Sequence, residues 1–272
     1  MKFGSANAGY GEADYILAGM PLETTTSHRK GTRFGPNEIR KQSRSLEVYD
    51  PVTGRSLEEA SIHDIGDLDV WYDPKETTEF QQSRIRGWCE DGKVPVVLGG
   101  EHTVTVSGVK GTEPDAVVVF DAHLDLKDEY GGSRYSHASV LRHVHQEGYD
   151  VYVIGVREGS RNEYRYSEKE GIELVPADDY ILETVEEINK DTGELYLSLD
   201  IDALDPSYAP GTGTPVPFGL TSREVRDAVR EFAPETVGFD VVEVSPKPDD
   251  GNTALLAAQY VKEYVLNREA GR

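Results

Sequence analysis

The sequence is poor in cysteine, and its one thiol, Cys89, excludes an internal disulfide. Cys89 lies in a polar stretch with a helical pattern, and its direct neighbours, Trp88 and Glu90, would not activate a thiolate. Long hydrophobic runs are also absent: no stretch approaches the roughly 20 apolar residues that span a bilayer, and the first residues do not resemble a signal peptide. We therefore interpret Cys89 as structural and expect a cytoplasmic protein.

The sequence also has few basic residues. Its 28 lysines and arginines stand against 50 aspartates and glutamates, which gives a formal net charge of -22. Such a charge repels nucleic-acid phosphates and anionic membrane surfaces, so neither is an expected partner. Acidic residues spread along the whole chain are typical of proteins from extreme halophiles, and we expect a halophilic source. An ordinary acidic cytoplasmic protein is the alternative interpretation.

Apolar residues make up 37% of the chain and gather in short, β-branched blocks that alternate with segments of helical periodicity. This alternation predicts the α/β class, with a parallel sheet covered by helices on both faces. No repeat or low-complexity linker divides the chain, so we expect a single domain over residues 1–272. The predicted strands are residues 15–18, 94–98, 117–120, 151–155, 195–199 and 236–242. The predicted helices are residues 36–46, 75–90, 136–146, 178–190, 222–232 and 252–266.

The strongest candidate motif is Asp121-Ala122-His123-Leu124-Asp125, which directly follows a predicted apolar strand. Side chains two apart in an extended segment share a face, so Asp121, His123 and, as the chain turns, Asp125 can converge. Capping of a helix or pairing among these residues is the plain alternative. Several charged groups at the end of a buried strand need partners, however, and a divalent cation satisfies them together.

A second motif, Asp-Ile-Asp-Ala-Leu-Asp-Pro at residues 200–206, ends the strand at 195–199 in the same way. Asp200 and Asp202 again share a face by the period-two rule. An Asx turn or a helix cap is an adequate explanation for Asp205 before Pro206, but a poor one for two carboxylates in register. The motif therefore adds two candidate ligands.

The third motif, Gly-Gly-Glu-His at residues 99–102, follows the strand at 94–98. Its glycines allow a tight turn and close backbone approach, which places His102 at the carboxyl edge of the sheet. A lone histidine there would more often be a packed core residue. The position of His102 at the same edge as the two aspartate motifs favours a ligand instead.

These motifs together supply an oxygen-rich donor set without a thiolate. Such a set suits a hard ion such as manganese better than structural zinc, and four carboxylates favour two ions over one. Two-metal sites hold a water that is readily deprotonated near neutral pH. The candidate ligands are His102, Asp121, His123, Asp125, Asp200 and Asp202.

In this order and at these intervals, the three motifs closely resemble the signatures of the ureohydrolase family, which includes arginase, agmatinase, guanidinobutyrase and formimidoylglutamase. Residues 31–36 and 241–246 fit as well, so the resemblance covers nearly the whole chain. It implies a three-layer α/β/α sandwich on a mostly eight-stranded parallel sheet, with a binuclear manganese cluster. The resemblance assigns one ion to His102, Asp121, Asp125 and Asp200. It assigns the other ion to Asp121, His123, Asp200 and Asp202.

The same resemblance implies two catalytic residues. His137 resembles the proton shuttle of the family, a role that suits an imidazole near neutral pH, although loop packing is the plain alternative. Glu243 resembles the glutamate that orients the guanidinium through paired hydrogen bonds. Two places depart from the common pattern: Glu101 stands where many members have an aspartate that is not a ligand, and Ser136 and Ala138 flank His137 where many have His-Gly-Thr or His-Gly-Asn.

Hydrolysis of a guanidino compound to urea and an amine is the implied reaction, and loops select the compound. The loop at 127–135 carries Asp128 and Glu129 beside Arg134, and an acidic rim favours a cationic amine over a carboxylate. Agmatine, cleaved to putrescine and urea in polyamine biosynthesis, is therefore the leading candidate, with aminopropylagmatine as a longer relative. Guanidinobutyrase or formimidoylglutamase activity would need a basic contact, for which Arg134 and Arg157 are the candidates.

Two other classes of protein are alternatives. A catalytically silent homologue would be expected to lose some of the six ligands, His137 or Glu243, and all are present. A zinc-dependent deacetylase of similar fold would hold a single ion and would not require both His102 and Asp125. Members of the ureohydrolase family commonly form trimers or hexamers, so we expect a homo-oligomer.

Overall fold

An eight-stranded parallel sheet forms the centre of the computed structural model, which describes residues 1–179 and 181–271. The strand order is β4-β1-β5-β10-β9-β6-β7-β8. The strands are β1 Tyr15–Met20, β4 Ile62–Asp67, β5 Val94–Gly99, β6 Ala116–Phe120, β7 Asp150–Val156, β8 Glu173–Pro176, β9 Leu195–Asp200 and β10 Thr236–Val242. A separate antiparallel pair consists of β2 Tyr49–Asp50 and β3 Arg55–Ser56.

Helices cover both faces of this sheet, so the fold is the predicted three-layer α/β/α sandwich. Helices α2 to α5 lie on one face and α1, α6, α7 and α8 on the other. Their bounds are α1 Gly35–Ser43, α2 Pro74–Glu90, α3 Val104–Thr112, α4 Val140–Gln146, α5 Arg161–Glu170, α6 Ile181–Asp191, α7 Ser222–Phe232 and α8 Asn252–Gly271.

In strand β9, successive side chains point to opposite faces of the sheet. Leu195, Leu197 and Leu199 belong to the large core cluster under α7 and α8. Tyr196 and Ser198 are equally buried but point to the opposite face, toward α3. The strand therefore has one apolar face and one buried polar face, and the polar face leads directly to the aspartate motif.

All six predicted strands are present, but the two edge strands, β4 and β8, were not predicted. The sequence of β4, Ile-His-Asp-Ile-Gly-Asp, has only two apolar residues among six, and β8 has four residues, one of them buried. Edge strands lack a neighbour on one side and need no continuous hydrophobic run. Their sequences therefore carry a weaker strand signal than the central strands.

Two helices were also missing from the sequence prediction. Almost every residue of α3 is buried, so no polar stripe reveals its period, and its β-branched residues and glycines favour other structures. Helix α5 is strongly polar, and its signal is a capping box in which Ser160 and Glu163 bind each other's backbone amides.

The remaining helix predictions differ mainly at their ends. The helix predicted at 136–146 begins at Val140, after a single 3-10 turn at His137–Ser139. The helix predicted at 178–190 is observed as Ile181–Asp191, and Tyr180 lies outside the described residues. Helix α8 extends to Gly271, beyond the predicted end at 266.

The single cysteine lies on α2, where it is half-buried and free. Burial raises the pKa of the Cys89 thiol to about 11, and the carboxylates of Glu113 and Glu90 act in the same direction. The thiol therefore stays protonated near neutral pH, which agrees with a structural role. In the described part of the chain, no helix is long and apolar enough to cross a membrane.

The net charge of -22 leads to a prediction about salt. The Debye length falls from about 10 Å at 0.1 M salt to about 3 Å at 1 M, so concentrated salt screens the mutual repulsion of surface carboxylates. We expect the melting temperature to rise between about 0.05 M and about 2 M potassium chloride. Differential scanning fluorimetry of the purified protein measures this directly. A melting temperature that falls steadily with salt would contradict both the prediction and the halophilic interpretation.

Candidate metal centre

The three predicted motifs meet at one edge of the sheet. Strands β5, β10, β9 and β6 are consecutive neighbours, and parallel strands present their carboxyl ends on the same side. The motif residues follow β5, β6 and β9, and Glu243 follows β10 between them. This edge is where open α/β sheets place their ligand sites.

His102 lies at the centre of a first group of buried donors. Its Nδ1 lies 3.1 Å from Asp121 Oδ2, 3.1 Å from Asp125 Oδ2 and 3.5 Å from Asp200 Oδ2. Ligand atoms of His102, Asp121 and Asp200 all lie within 4.8 Å of one another, as expected of residues that can hold one ion. Asp125 reaches this group with a left-handed backbone, φ 47°.

His123 organises a second group, which shares Asp121 with the first. Its Nδ1 lies 3.1 Å from Asp202 Oδ2 and 3.4 Å from Asp121 Oδ1. Ligand atoms of Asp121, His123 and Asp202 again lie within 4.8 Å of one another. The structure thus brings all six predicted ligands into one cluster, with Asp121 common to both groups and Asp200 in the first.

Three of the aspartates are held in the same manner. Oδ1 of each accepts a hydrogen bond from a backbone amide: Asp121 from His123 at 2.7 Å, Asp200 from Asp202 at 2.9 Å, and Asp202 from Ala122 at 3.2 Å. Oδ2 of each faces a histidine of the cluster. The backbone therefore orients the carboxylates and leaves one oxygen of each directed inward.

The carboxylates of this cluster repel one another and attract its histidines. Burial raises the pKa of Asp200 well above its usual range, and the neighbouring carboxylates of Asp202 and Asp121 raise it further. Burial lowers the pKa of His123, but Asp202 and Asp121 outweigh this effect and raise it to about 12. A buried set of repelling carboxylates is stabilised by positive charge at its centre.

A test of fit comes from the buried oxygen Asp121 Oδ2. Although it lies 3.1 Å from His102 Nδ1 in the first group, it accepts no hydrogen bond of good geometry within the described part of the chain. Buried polar atoms normally have partners, and an unpartnered carboxylate oxygen among imidazole nitrogens and other carboxylates suits a cation. The donor set, with its imidazole and carboxylate groups, is suited to metal binding.

The far nitrogen of His102 is held by a buried polar chain. Nε2 lies 3.4 Å from Ser198 Oγ, which donates to Asp240 Oδ1 at 2.6 Å, and Tyr196 donates to Asp240 Oδ2 at 2.8 Å. Because the Ser198 hydrogen goes to Asp240, its oxygen is free to accept from Nε2–H. Nδ1 of His102 then keeps its lone pair for the cluster, as histidine ligands require. A side chain at Gly108 on α3 would clash with Tyr196, so glycine makes this arrangement possible.

Glu243 borders the cluster in a strained conformation. Its backbone adopts φ 61°, which is uncommon for a residue other than glycine and which is found repeatedly at functional sites. Its Oε1 accepts a hydrogen bond from the His102 amide at 2.8 Å. Burial raises the pKa of the Glu243 carboxyl to about 8, and the hydrogen bond from His102 opposes this shift. The His102 amide thus fixes Oε1 of Glu243, and Glu243 lines the cavity.

His137 lines the same cavity and lies in the 3-10 turn before α4. Its Nδ1 lies 3.1 Å from Thr25 Oγ1, and its Nε2 lies 3.3 Å from Ser27 Oγ. The ring of Tyr130 packs edge-on against it with the centroids 5.5 Å apart. His137, which the sequence predicted as a site residue, therefore lies at the site. Its neighbours Thr25, Ser27 and Tyr130 were not predicted.

The cavity above the cluster has a volume of about 100 Å³. The carboxylates of Asp125, Asp200 and Asp202 line it together with the loop residues Ser27 and Tyr130. Its described lining consists of Ser27, His123, Asp125, Lys127, Tyr130, His137, Ala138, Asp200, Asp202, Thr214 and Glu243.

Neither acidic residue of the predicted rim, Asp128 or Glu129, is among the described residues that line the cavity. Asp128 forms an ion pair with Arg142 on α4 at 3.2 Å, and the described cavity lining includes Lys127 from the same loop. The sequence showed the charges of this loop but not their directions.

The two arginines considered for a substrate carboxylate are also engaged elsewhere. Arg134 donates to Gln146 on α4. Arg157 donates to the backbone carbonyls of residues that include Val216 and Asp202, at 2.8 and 2.7 Å, and holds the loop after β9. Neither arginine is among the described residues that line the cavity.

Comparison with known proteins identifies the class of this protein. The model of the arginase family matches residues 13–266, which is most of the chain. The chain belongs to the arginase family, and it is an enzyme of the ureohydrolase class.

Individual relatives resemble the chain over most of their lengths. Agmatinase from Pyrococcus horikoshii is 38% identical over 264 residues, 95% of this chain and 93% of the relative. N(1)-aminopropylagmatine ureohydrolase from Thermococcus kodakarensis is 37% identical over 91% of this chain and 88% of its own. The crystal structure of the agmatine ureohydrolase of Thermoplasma volcanium superimposes with a TM-score of 0.94 at 35% identity, over 99% of this chain and 94% of the other.

Proposed function

We propose that this protein is a manganese-dependent agmatinase that hydrolyses agmatine to putrescine and urea. The proposal rests on the buried cluster of donors. Asp121 belongs to both groups in this cluster, and its Oδ2 accepts no hydrogen bond from the described residues. The similarity to agmatinases from two archaea supports the choice of substrate. The hydrolysis of guanidino compounds to urea agrees with membership of the arginase family.

Two manganese ions are proposed for the cluster, with Asp121 and Asp200 as the residues that contact both. One ion would be held by His102, Asp121, Asp125 and Asp200. The other would be held by Asp121, His123, Asp200 and Asp202. When bound, the ions would lower the pKa of a water molecule and supply a nucleophile near neutral pH.

Glu243 is proposed to hold the guanidinium group of the substrate. Burial raises the pKa of the Glu243 carboxyl to about 8, and a bound guanidinium favours its ionised form. The carboxylate and the guanidinium then form charge-assisted, paired hydrogen bonds, which burial strengthens by excluding water. One Glu243 oxygen is already fixed by the His102 amide, so the carboxyl group is oriented before the substrate arrives. Glu243 would thereby place the central guanidinium carbon beside the cluster.

His137 is proposed to transfer the proton that the reaction requires. Water adds to the guanidinium carbon, the bond from that carbon to the alkyl nitrogen breaks, and the departing amine must gain a proton. The His137 ring lies at the cavity, and an imidazole can both accept a proton and return it. Urea and putrescine account for all the atoms of agmatine and one water.

The distal end of the substrate would lie near Ser27, Tyr130 and Thr214, which border the cavity with hydroxyl groups. Neutral oxygen acceptors suit the primary ammonium of agmatine. Arginine, in contrast, carries an α-carboxylate and an α-ammonium on the same carbon and needs donors and acceptors together. The lining therefore supports agmatine over arginine.

We predict that agmatine is hydrolysed with a kcat/KM at least about tenfold above that of arginine, because leaving one charged group unpaired costs at least about 1.4 kcal/mol. Urea release with manganese, measured at low and high potassium chloride, tests this. The panel should include guanidinobutyrate, formimidoylglutamate (through formamide release) and aminopropylagmatine. Arginine hydrolysed as fast as agmatine would contradict the proposed substrate. Cleavage of aminopropylagmatine alone would keep the family chemistry and extend the substrate.

Lys127 supports a second candidate function, the hydrolysis of a guanidino acid. It is the cation among the described lining residues, and its Nζ lies 5.1 Å from the centre of the Tyr130 ring. A carboxylate at the far end of guanidinobutyrate would pair with it. Lys127→Met separates the two functions: it should raise KM for guanidinobutyrate if that is the substrate, and leave or lower KM for agmatine if agmatine is.

A further inference from the structure

The loop at residues 24–27 is held beside His137 by the buried carboxylate of Glu101. Glu101 has no exposed surface and accepts five hydrogen bonds from threonines. The amides of Thr25 and Thr26 donate to Oε2 at 2.8 and 3.1 Å, and the Thr103 hydroxyl donates to Oε1 at 3.0 Å. Glu101 belongs to neither group of metal donors, so its contacts serve the loop.

The hydroxyl of Thr25 joins this carboxylate to His137. Its oxygen lies 2.8 Å from Glu101 Oε1, 3.0 Å from the backbone nitrogen of His137 and 3.1 Å from His137 Nδ1. A carboxylate only accepts hydrogen bonds, so the one hydroxyl hydrogen is donated to Glu101. The remaining lone pairs of the oxygen then accept from the His137 backbone N–H and from Nδ1–H.

This direction of hydrogen bonding defines the state of the His137 ring. With its hydrogen on Nδ1, the neutral ring has its lone pair on Nε2, which lies 3.3 Å from Ser27 Oγ at the cavity. One oxygen atom holds both the backbone and the ring of His137, and Tyr130 packs against the ring edge-on. The ring is therefore fixed in position and in tautomer.

We propose that Thr25, oriented by Glu101, is a positioning residue that makes Nε2 of His137 the nitrogen that exchanges protons with the substrate. The neutral ring accepts at Nε2 the proton that the attacking water loses as its oxygen bonds to the guanidinium carbon. The ring then returns that proton from Nε2 to the departing nitrogen as the carbon–nitrogen bond breaks, while Nδ1–H stays bonded to Thr25. The inference rests on the proposed role of His137.

Thr25→Val tests the inference because valine keeps the shape of threonine and removes the hydroxyl. In the manganese-loaded enzyme, kcat for agmatine, or for guanidinobutyrate if that is faster, should fall about 10- to 100-fold, the cost of misplacing a catalytic group. KM and manganese content should stay near the wild-type values, since Thr25 is assigned to neither substrate nor metal. Thr25→Ser retains the hydroxyl and should recover most of the lost kcat.

Thr26→Val is the matched control. The Thr26 hydroxyl also donates to Glu101, at 3.3 Å, but it is Thr25 whose oxygen bonds to His137. Thr26→Val should therefore keep a kcat close to wild type. A wild-type kcat in Thr25→Val, or an equal loss in both variants, would overturn the inference, because the loop would then act only through its general position.

The double variant Thr25→Val with His137→Ala separates this inference from the proposed function. If Thr25 acts through the ring, the double variant should be no slower than His137→Ala alone. A further loss would show an independent role for Thr25 and would overturn the inference. Normal turnover of His137→Ala would overturn the role of His137 itself, and the inference with it.

Glu101→Gln provides a second test should Thr25→Val fail to fold. The glutamine amide can donate to Thr25 Oγ1, which reverses the direction of the hydrogen bond and turns the hydroxyl hydrogen toward His137 Nδ1. A fall in kcat similar to that of Thr25→Val, with unchanged manganese content, is the expected result. Wild-type turnover in this variant would overturn the inference.

Discussion

Asp121→Asn should lower turnover by a factor on the order of 10³ or more and leave the protein without its full complement of two manganese ions, since ion-based catalysis contributes several kcal/mol. Asp121 belongs to both groups of donors, and its Oδ2 has no hydrogen-bond partner in the described part of the chain. An amide at this position removes a negative charge and offers a neutral ligand. Asp200→Asn should behave in the same way, as the second proposed bridging residue.

The measurements are metal content after gel filtration and urea release under saturating substrate. Asp128→Asn is the matched control, because it makes the same change of charge on an exposed residue that pairs with Arg142 outside the cavity. It should retain both ions and nearly all activity. Two full equivalents of manganese in Asp121→Asn or Asp200→Asn would refute the assignment of that residue as a bridge.

Protein stability gives an independent view of the same substitution. Burial and the surrounding carboxylates raise the pKa of Asp200, which reflects repulsion within the metal-free cluster. Asp121→Asn removes part of that repulsion and also the attraction of Asp121 for the two histidines of the cluster. The clearer measurement is the gain in melting temperature on adding manganese, which should be smaller in the variant than in the wild type.

His137→Ala should keep both ions and lower kcat by a factor on the order of 10² to 10⁴, the range expected for the loss of a general acid or base. The His137 ring lines the cavity and bonds to Thr25 and Ser27, but it belongs to neither group of metal donors. Removing it should therefore affect proton transfer and leave the cluster intact.

His145→Ala is a suitable control for this variant. His145 lies on α4, where its ring contacts Tyr166 and does not line the cavity. Its replacement should leave kcat unchanged. Unchanged turnover in His137→Ala would reduce His137 to a packing residue, and a loss of manganese would instead make it a ligand.

Much of the candidate site could be predicted because its donors follow strands. A buried strand such as β6 is recognisable from its apolar run, and parallel strands end at a common edge. Asp121 and His123 directly follow β6, so the position of their motif along the chain sufficed to place them together. The edge strands and helix α3 could not be predicted in this way. An edge strand such as β4 has a weak hydrophobic pattern, because it has a neighbouring strand on one side only. Helix α3 is buried on almost all sides, so its sequence has no alternation of polar and apolar faces.

The positions of the loop side chains could not be predicted from the sequence. Lys127 and Asp128 are adjacent, yet one lines the cavity and the other pairs with Arg142. Thr25 lies 112 positions from His137 in the chain, and no local pattern indicates their hydrogen bond. The direction of a loop side chain depends on partners from distant segments, and these are known only once the chain has folded.

The sequence by itself determined the fold class, the family and the set of candidate metal donors, since each depends on residue type and on spacing along strands whose geometry is regular. Only the tertiary structure decided which oxygens of Asp121, Asp200 and Asp202 face the cluster, which charged side chains line the cavity and which hydroxyl groups contact the His137 ring. The physical reason is that hydrogen bonds and ion pairs such as Thr25 to Glu101 and Asp128 to Arg142 join segments whose relative positions are set by packing.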